Sequence, residues 1–155
     1  MRIRQILARQ RMFEGWKPEV YQDIIGVWTI GYGATSIFGV QVTEDTPPIT
    51  SQQANTMIKA DMLDAIIGCR AIYGKATWRK LSDVQQEVLV SMCYQLGQTK
   101  LSQFKRMKDA VFSGDTDKWV LEMKDSLWWR QTPRPANALA DAIEHGDWQG
   151  AWNLS

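Results

Sequence analysis

Residues 14–33, EGWKPEVYQDIIGVWTIGYG, predict the end of a helix followed by a tight hairpin. Pro18 prevents a helix from continuing through the stretch. Residues 20–21 and 27–30 are runs of β-forming side chains, and residues 23–26 between them have the composition of a turn. This order predicts an antiparallel β-hairpin shortly after a first helix.

The sequence predicts an amphipathic helix before the hairpin and mostly helices after it. Apolar residues at steps of three and four run from Ile3 to Phe13 and predict a first helix that ends near Gly15. Residues 37–48 predict an irregular third strand or a loop. Capping residues followed by apolar stripes predict helices that begin near residues 50, 82, 104, 115 and 136, and the first of these is long. The predicted class is α+β, a small antiparallel sheet followed by about six helices.

The bulk composition excludes several classes of function. The chain has 155 residues, which suits one compact domain that is stable without disulfides or metal. Its net charge of +1 gives no general attraction for nucleic acid or acidic membranes. We find neither a signal peptide nor an apolar run that could span a membrane, so we expect synthesis in a cytoplasm and no membrane insertion.

The cysteines and the histidine narrow the chemistry further. Cys69 and Cys93 lie in apolar helical patterns, and we expect two buried free thiols, with disulfide pairing left open by the sequence. His145 is the single histidine, which argues against a histidine-based zinc site or a Ser-His-Asp triad. We expect a protein that needs no metal and no cofactor.

Three polar residues around the hairpin could act together on a glycosidic bond. Glu14 closes an apolar helix, where desolvation raises the pKa of a carboxyl group toward that of a general acid. Asp23 follows nine residues later in the turn, and Thr29 lies six residues beyond it, where its hydroxyl could hold a water against Asp23. Two carboxyl groups in different environments can serve as the general acid and the general base of a glycosidase. The same residues also suit a surface helix end, a turn and a strand, so spacing alone leaves both interpretations open.

Three blocks of sequence resemble phage-type lysozymes, glycoside hydrolase family 24. In the first block Glu14, Asp23 and Thr29 keep the E-x8-D-x5-T spacing of that family, and TIGYG follows at residues 29–33. Residues 91–97, SMCYQLG, are similar to the helix that faces the substrate cleft, and residues 125–133, DSLWWRQTP, to the segment before the last helices. The resemblance covers about residues 6–148.

The resemblance implies a lysozyme-like α+β fold made of a single domain over residues 1–155. A small N-terminal lobe with the hairpin would span about residues 14–50, and a connecting helix region residues 51–80. A helical lobe would span residues 81–155, with the helix of residues 1–13 packing on it. The substrate cleft is expected between the two lobes.

The resemblance also implies hydrolysis of the β-1,4 bond between N-acetylmuramic acid and N-acetylglucosamine, with inversion, in bacterial peptidoglycan. Glu14 would protonate the leaving oxygen, and Asp23 with Thr29 would place the attacking water. Four further residues match positions that contact the sugar: Thr35, Tyr94, Gln95 and Trp128. We expect a monomer that acts on the periplasmic cell wall, either as an endolysin released by a holin or as a tail-associated lysozyme carried in the virion.

The chain departs from the family pattern at two positions. Ala34 stands where the family usually has a histidine that forms a structural ion pair, which concerns stability more than catalysis. Pro135 stands where the family often has an arginine close to the catalytic acid. We expect Arg134 to take over that contact with Glu14, with Arg130 as the substitute.

Two other functions are compatible with the same motifs. The first is a non-catalytic module that binds the cell wall or builds the virion on the same fold. The second is a lytic transglycosylase, which ends in an anhydro-sugar instead of adding water. The retention of Glu14, Asp23 and Thr29 argues against the first, and the expected water site at Asp23 and Thr29 argues against the second.

Overall fold

The structure is a computed structural model that describes residues 2–154. These residues form two compact units. One unit comprises Leu7–Leu63, and the other comprises the described residues up to Ile6 together with those from Asp64 onward. The α+β class predicted from the sequence is confirmed, because helices dominate and the strands are confined to the N-terminal third.

The first β-hairpin lies in the unit Leu7–Leu63. Helix α1 (Ile3–Glu14) ends at Gly15, whose φ of 61° is left-handed and therefore suits glycine. Strands β1 (Lys17–Gln22) and β2 (Trp28–Gly31) then pair antiparallel, with Tyr21 directly opposite Thr29. Both the helix end and the hairpin agree with the sequence-based prediction.

A second small hairpin follows, where the sequence predicted only one irregular strand or a loop. Strands β3 (Ser36–Ile37) and β4 (Val40–Gln41) pair across the tight turn Phe38-Gly39, in which both residues have positive φ. A phenylalanine at φ 45° is uncommon, and this turn lacks the Asn-Gly composition that announces such hairpins. The amino-acid composition of this segment therefore does not predict the pairing of β3 with β4.

The small sheets are held by a compact apolar cluster of this unit. Its fully buried members come from β2, from the segments that flank the second hairpin and from helix α2 (Ser51–Tyr73); they are Ile30, Ala34, Val42 and Met57. Thr50 caps α2, because its hydroxyl accepts from the Gln53 N–H at 3.1 Å and the Gln53 side chain accepts from the Thr50 N–H at 2.8 Å. This arrangement fixes β2 and the residues that follow it.

The other unit is entirely helical. It contains α3 to α9, whose bounds are α3 (Lys75–Lys80), α4 (Asp83–Leu96), α5 (Gln98–Ser102), α6 (Lys105–Ser113), α7 (Thr116–Lys124), α8 (Leu127–Gln131) and α9 (Pro133–His145), and it ends in a 3₁₀ turn (Gly150–Trp152). Helix α4 packs against α9, and α7 packs against both α6 and α9. Large apolar side chains fill this core, among them Met92, Trp119 and Leu139.

The long predicted helices and their caps are confirmed. Ser82 caps α4 in a capping box with Gln85, and Asp115 caps α7. The prediction of about six helices was wrong, since eight α-helices follow the first hairpin in residues 2–154. Three of the eight, α3, α5 and α8, are too short to show an apolar period. Among the helices of residues 2–154, we find none with the length and hydropathy of a membrane-spanning segment.

Candidate active site

Asp23 is fixed by the turn of the first hairpin. Its carboxylate oxygen Oδ1 accepts hydrogen bonds from the backbone N–H groups of Ile25 at 3.0 Å and Val27 at 2.8 Å. The Asp23 N–H donates to the Val27 carbonyl at 2.9 Å and closes the loop. These bonds are those of an Asx-turn, which explains why an aspartate stands here. They use Oδ1 and leave Oδ2 available for another donor.

Thr29 stands on β2 opposite Tyr21, and its side chain is 3% exposed. The hydroxyl donates to the Val27 carbonyl at 2.9 Å. Since that bond uses the only hydroxyl proton, the remaining lone pairs of Oγ1 can only accept. Thr29 therefore presents an acceptor to any water or ligand that reaches it.

Glu14 is the last residue of α1, and burial governs its protonation. Desolvation raises the pKa of its carboxyl group from 4.5 to about 7, and a hydrogen bond from Gln10 lowers it by a smaller amount. In that bond the Gln10 Nε2 donates to Oε1 over 2.9 Å. A carboxyl group with this pKa is protonated in part at neutral pH, as a general acid must be.

Gly33 lies against the other oxygen of Glu14. A Cβ atom at residue 33 would stand 2.8 Å from Oε2, and the backbone φ there is 86°, which glycine adopts without strain. Two features of the structure explain why the last residue of the TIGYG motif is a glycine. Its backbone conformation favours glycine, and a side chain here would occupy the space of the Glu14 carboxyl group.

Tyr21 links the two carboxyl groups electrostatically. Desolvation raises the pKa of its phenol most, and the negative charges of Glu14 and then Asp23 raise it further. The Lys17 ammonium lies 4.2 Å from the centre of its ring. The unit Leu7–Leu63 contains Tyr21 together with the three predicted catalytic residues, Glu14, Asp23 and Thr29.

Three predicted sugar-contacting residues lie in the helical unit. Trp128 on α8 is 5% exposed, and its Nε1 donates to Gln95 Oε1 at 2.9 Å. The Gln95 amide in turn donates to Ser91 Oγ at 3.3 Å, and Tyr94 is half-buried beside it in the chain. Gln95 and Trp128 are therefore brought together as a hydrogen-bonded pair, and the sugar contact assigned to Tyr94, Gln95 and Trp128 stays a prediction.

The remaining predicted residues lie on the surface of their own units. Thr35 is exposed, and its carbonyl accepts from the Val42 N–H at 2.9 Å. Arg134 is exposed in the first turn of α9, and its guanidinium lies 5.4 Å from the centre of the Trp152 ring. The expected contact between Arg134 and Glu14 stays a prediction, as does the role of Arg130.

The structure shows the environment of Ala34, the first position at which the chain departs from the family pattern. Ala34 is buried in the apolar cluster of its unit and pairs with Ile30 through two backbone hydrogen bonds of 2.9 Å. A methyl group here contributes to packing and forms no ion pair. Pro135 is half-buried in the first turn of α9, where the lack of an N–H costs nothing because such a group has no partner within the helix.

Sequence reasoning missed the residues that surround Glu14. Gln10 precedes Glu14 by four positions, the spacing at which side chains of a helix meet, so the contact could have been anticipated. Tyr21 lies on β1 two positions before Asp23, which follows the end of that strand, and in an extended chain this spacing predicts a shared face. In residues 2–154 no group of three or more histidine, cysteine, aspartate or glutamate side chains could hold a metal ion.

The chain is similar in sequence to several known proteins. A family model described as phage lysozyme matches residues 11–141. The chain is 27% identical to probable T4-type lysozyme 1 of Dictyostelium discoideum, over 86% of this chain and 89% of that protein. It is 26% identical to probable T4-type lysozyme 2 of the same organism, with the same coverage.

A further relative is much longer than this chain. The chain is 26% identical to the pre-baseplate central spike protein Gp5 of Enterobacteria phage T4, over 95% of this chain and 28% of that protein. It therefore spans only about a quarter of the spike protein, whereas it spans most of both T4-type lysozymes. Because the family model matches most of its residues, the chain belongs to the phage lysozyme family.

Proposed function

We propose that this chain cleaves the β-1,4 bond between N-acetylmuramic acid and N-acetylglucosamine of bacterial peptidoglycan, with inversion at the anomeric carbon. Its family makes it a lysozyme-type peptidoglycan hydrolase. The observation that supports the proposed mechanism is that two carboxyl groups of one unit have different environments. Glu14 is half-buried with a raised pKa, and Asp23 is held by backbone donors at one oxygen only.

In the proposed reaction Glu14 is the general acid. Its proton passes to the glycosidic oxygen as the bond to the anomeric carbon breaks, so the leaving sugar departs as a neutral alcohol. Because the pKa of Glu14 is about 7, the proton is present at neutral pH and is also readily given up. A low-pKa surface carboxylate would lack the proton under the same conditions.

Asp23 and Thr29 hold the attacking water from the opposite side of the sugar. The water donates one hydrogen to the free Oδ2 of Asp23 and the other to Oγ1 of Thr29, which leaves an oxygen lone pair for the anomeric carbon. The Thr29 hydroxyl suits this role because its own proton is already donated to Val27. Asp23 takes up the water proton as the new bond forms, and the product has inverted configuration.

Two measurements on purified peptidoglycan test the proposal. Mass spectrometry of the released muropeptides distinguishes added water from the anhydro end of a transglycosylase, and rapid proton NMR identifies the anomer formed first. We expect reducing N-acetylmuramic acid ends and the α-anomer. Glu14→Gln should abolish release, and Glu19→Gln, which removes an exposed carboxyl group on β1, should not. Anhydro ends, a β-anomer, or an active Glu14→Gln variant would overturn the mechanism.

A second proposal concerns where the chain acts. Its similarity to a phage spike protein supports a lysozyme carried in the virion, and its similarity to a T4-type lysozyme over most of that protein's length supports an endolysin that reaches the wall from the cytoplasm. Immunoblotting of purified phage particles separates them, because only a virion component stays with the particles through a density gradient.

A further inference from the structure

We infer that Gln10 is a positioning residue, which holds Oε1 of Glu14 so that the transferable proton sits on Oε2. The inference rests on the proposed function, since it concerns how the acid of that reaction is oriented. It starts from the local geometry of α1, where Gln10 lies one turn before Glu14 on the same face.

The amide of Gln10 is well placed to distinguish the two oxygens of Glu14. It is 1% exposed, and its Nε2 lies 2.9 Å from Oε1. An oxygen that accepts an N–H bond in this direction cannot direct its own proton along the same line. The protonated form of Glu14 therefore carries its hydrogen on Oε2, while Oε1 remains the acceptor.

The backbone of Gly33 gives Oε2 the room that this arrangement needs. The nearest approach that a Cβ at residue 33 would make is to Oε2, at 2.8 Å, and the Glu14 carboxyl carbon is farther away at 3.4 Å. One side of the carboxyl group is thus occupied by an amide donor, and the other side faces a residue without a side chain. The two contacts together define one orientation for the acid.

A second titratable group, the Tyr21 phenol, interacts with Glu14 through charge and not through a hydrogen bond. The Tyr21 phenol interacts electrostatically with both Glu14 and Asp23, and its own pKa is raised, so it stays neutral in the range where Glu14 titrates. The amide of Gln10 is the hydrogen-bond partner that acts on the Glu14 pKa, and it favours the carboxylate form.

The test is the pH profile of kcat/KM for Gln10→Met, which keeps the length of the side chain and removes the donor. We expect the alkaline limb to move upward by about one pH unit, because a bond to a charged group is lost. The rate at the optimum should fall about tenfold, mainly in kcat, because the acid is no longer held in one orientation. Gln5→Met makes the same chemical change on α1 nine residues before Glu14, and its profile should match the wild type.

The outcomes separate this inference from the proposed function. If Glu14→Gln remains active, the proposed function fails. If Glu14→Gln is inactive and Gln10→Met has the wild-type profile, only the role of Gln10 fails. A limb that moves to lower pH would also refute it, because the amide would then accept the proton of Glu14. Carbon-13 NMR titration of the Glu14 carboxyl in Gln10→Met gives the same answer without turnover.

Discussion

Replacing the acid Glu14 by glutamine should make the protein more stable at alkaline pH while it abolishes activity. The half-buried carboxyl group has a pKa of about 7 in the folded chain against an ordinary value of 4.5. The folded state thus binds more protons than the unfolded state between these two values, and the wild type loses stability as the pH rises through this window. The glutamine variant has no such group and avoids the loss.

The size of the effect follows from the two pKa values. A difference of about 2.5 corresponds to about 3 kcal/mol, at about 1.4 kcal/mol for each pKa unit. Glu14 keeps some contact with water, so we expect about 2–3 kcal/mol. The stability of Glu14→Gln relative to wild type should rise by this amount between about pH 4 and about pH 8, because the cost is absent below 4.5 and complete above 7.

Urea unfolding at the two pH values measures this directly. Glu19→Gln is the matched control, since it removes an exposed carboxyl group from β1 of the same unit and reports the effect of charge alone. A relative stability of Glu14→Gln that stays the same at both pH values, within about 0.5 kcal/mol, would contradict the argument. The buried acid would then have no energetic cost, and its assignment as the proton donor would lose its physical basis.

Three further changes test other parts of the structure. Thr29→Val, which keeps the shape and removes the acceptor, should lower kcat on peptidoglycan about a hundredfold, while Thr29→Ser should retain most activity; equal losses would refute the water-holding role. Gly33→Ala should displace the Glu14 carboxyl and lower activity far more than Gly39→Ala, because residue 39 has a similar φ of 83° but nothing within 4 Å of its Cβ position; equal activity would show that the contact is unimportant. Gln95→Leu should lower the free energy of unfolding by about 1–3 kcal/mol, since the buried Trp128 N–H loses its acceptor, and calorimetry that finds no change would contradict this.

Much of the fold could be predicted because its signals are local. A glycine after a periodic apolar run ends α1, and Ser82 followed three residues later by Gln85 announces α4. The short helices α3, α5 and α8 could not be predicted in this way, because five or six residues do not complete two turns of an amphipathic pattern. Their helical state depends on the packing of neighbouring elements.

In the candidate site, too, contacts within one hairpin could be predicted from the sequence and contacts between distant helices could not. Asp23 and Thr29 lie within one hairpin, and six residues of spacing fix their relation once the register of β1 and β2 is known. The sequence did not predict the hydrogen bond that the buried indole of Trp128 donates to Gln95, 33 residues earlier. A contact of that kind joins two helices, and no local pattern contains it.

The sequence motif identifies Glu14 as a candidate acid, but it does not explain the raised pKa of this residue. The spacing to Asp23 identifies the residue, but the property that makes it an acid comes from burial at a helix end and from two neighbours, Gln10 and Gly33. Burial raises its pKa, and the amide of Gln10 limits the rise while leaving Oε2 free. The same burial that prepares the proton for transfer is the one that costs stability above about pH 7. A change that relieves that cost is therefore expected to remove the acid as well, which ties the pH dependence of stability and of activity to one carboxyl group.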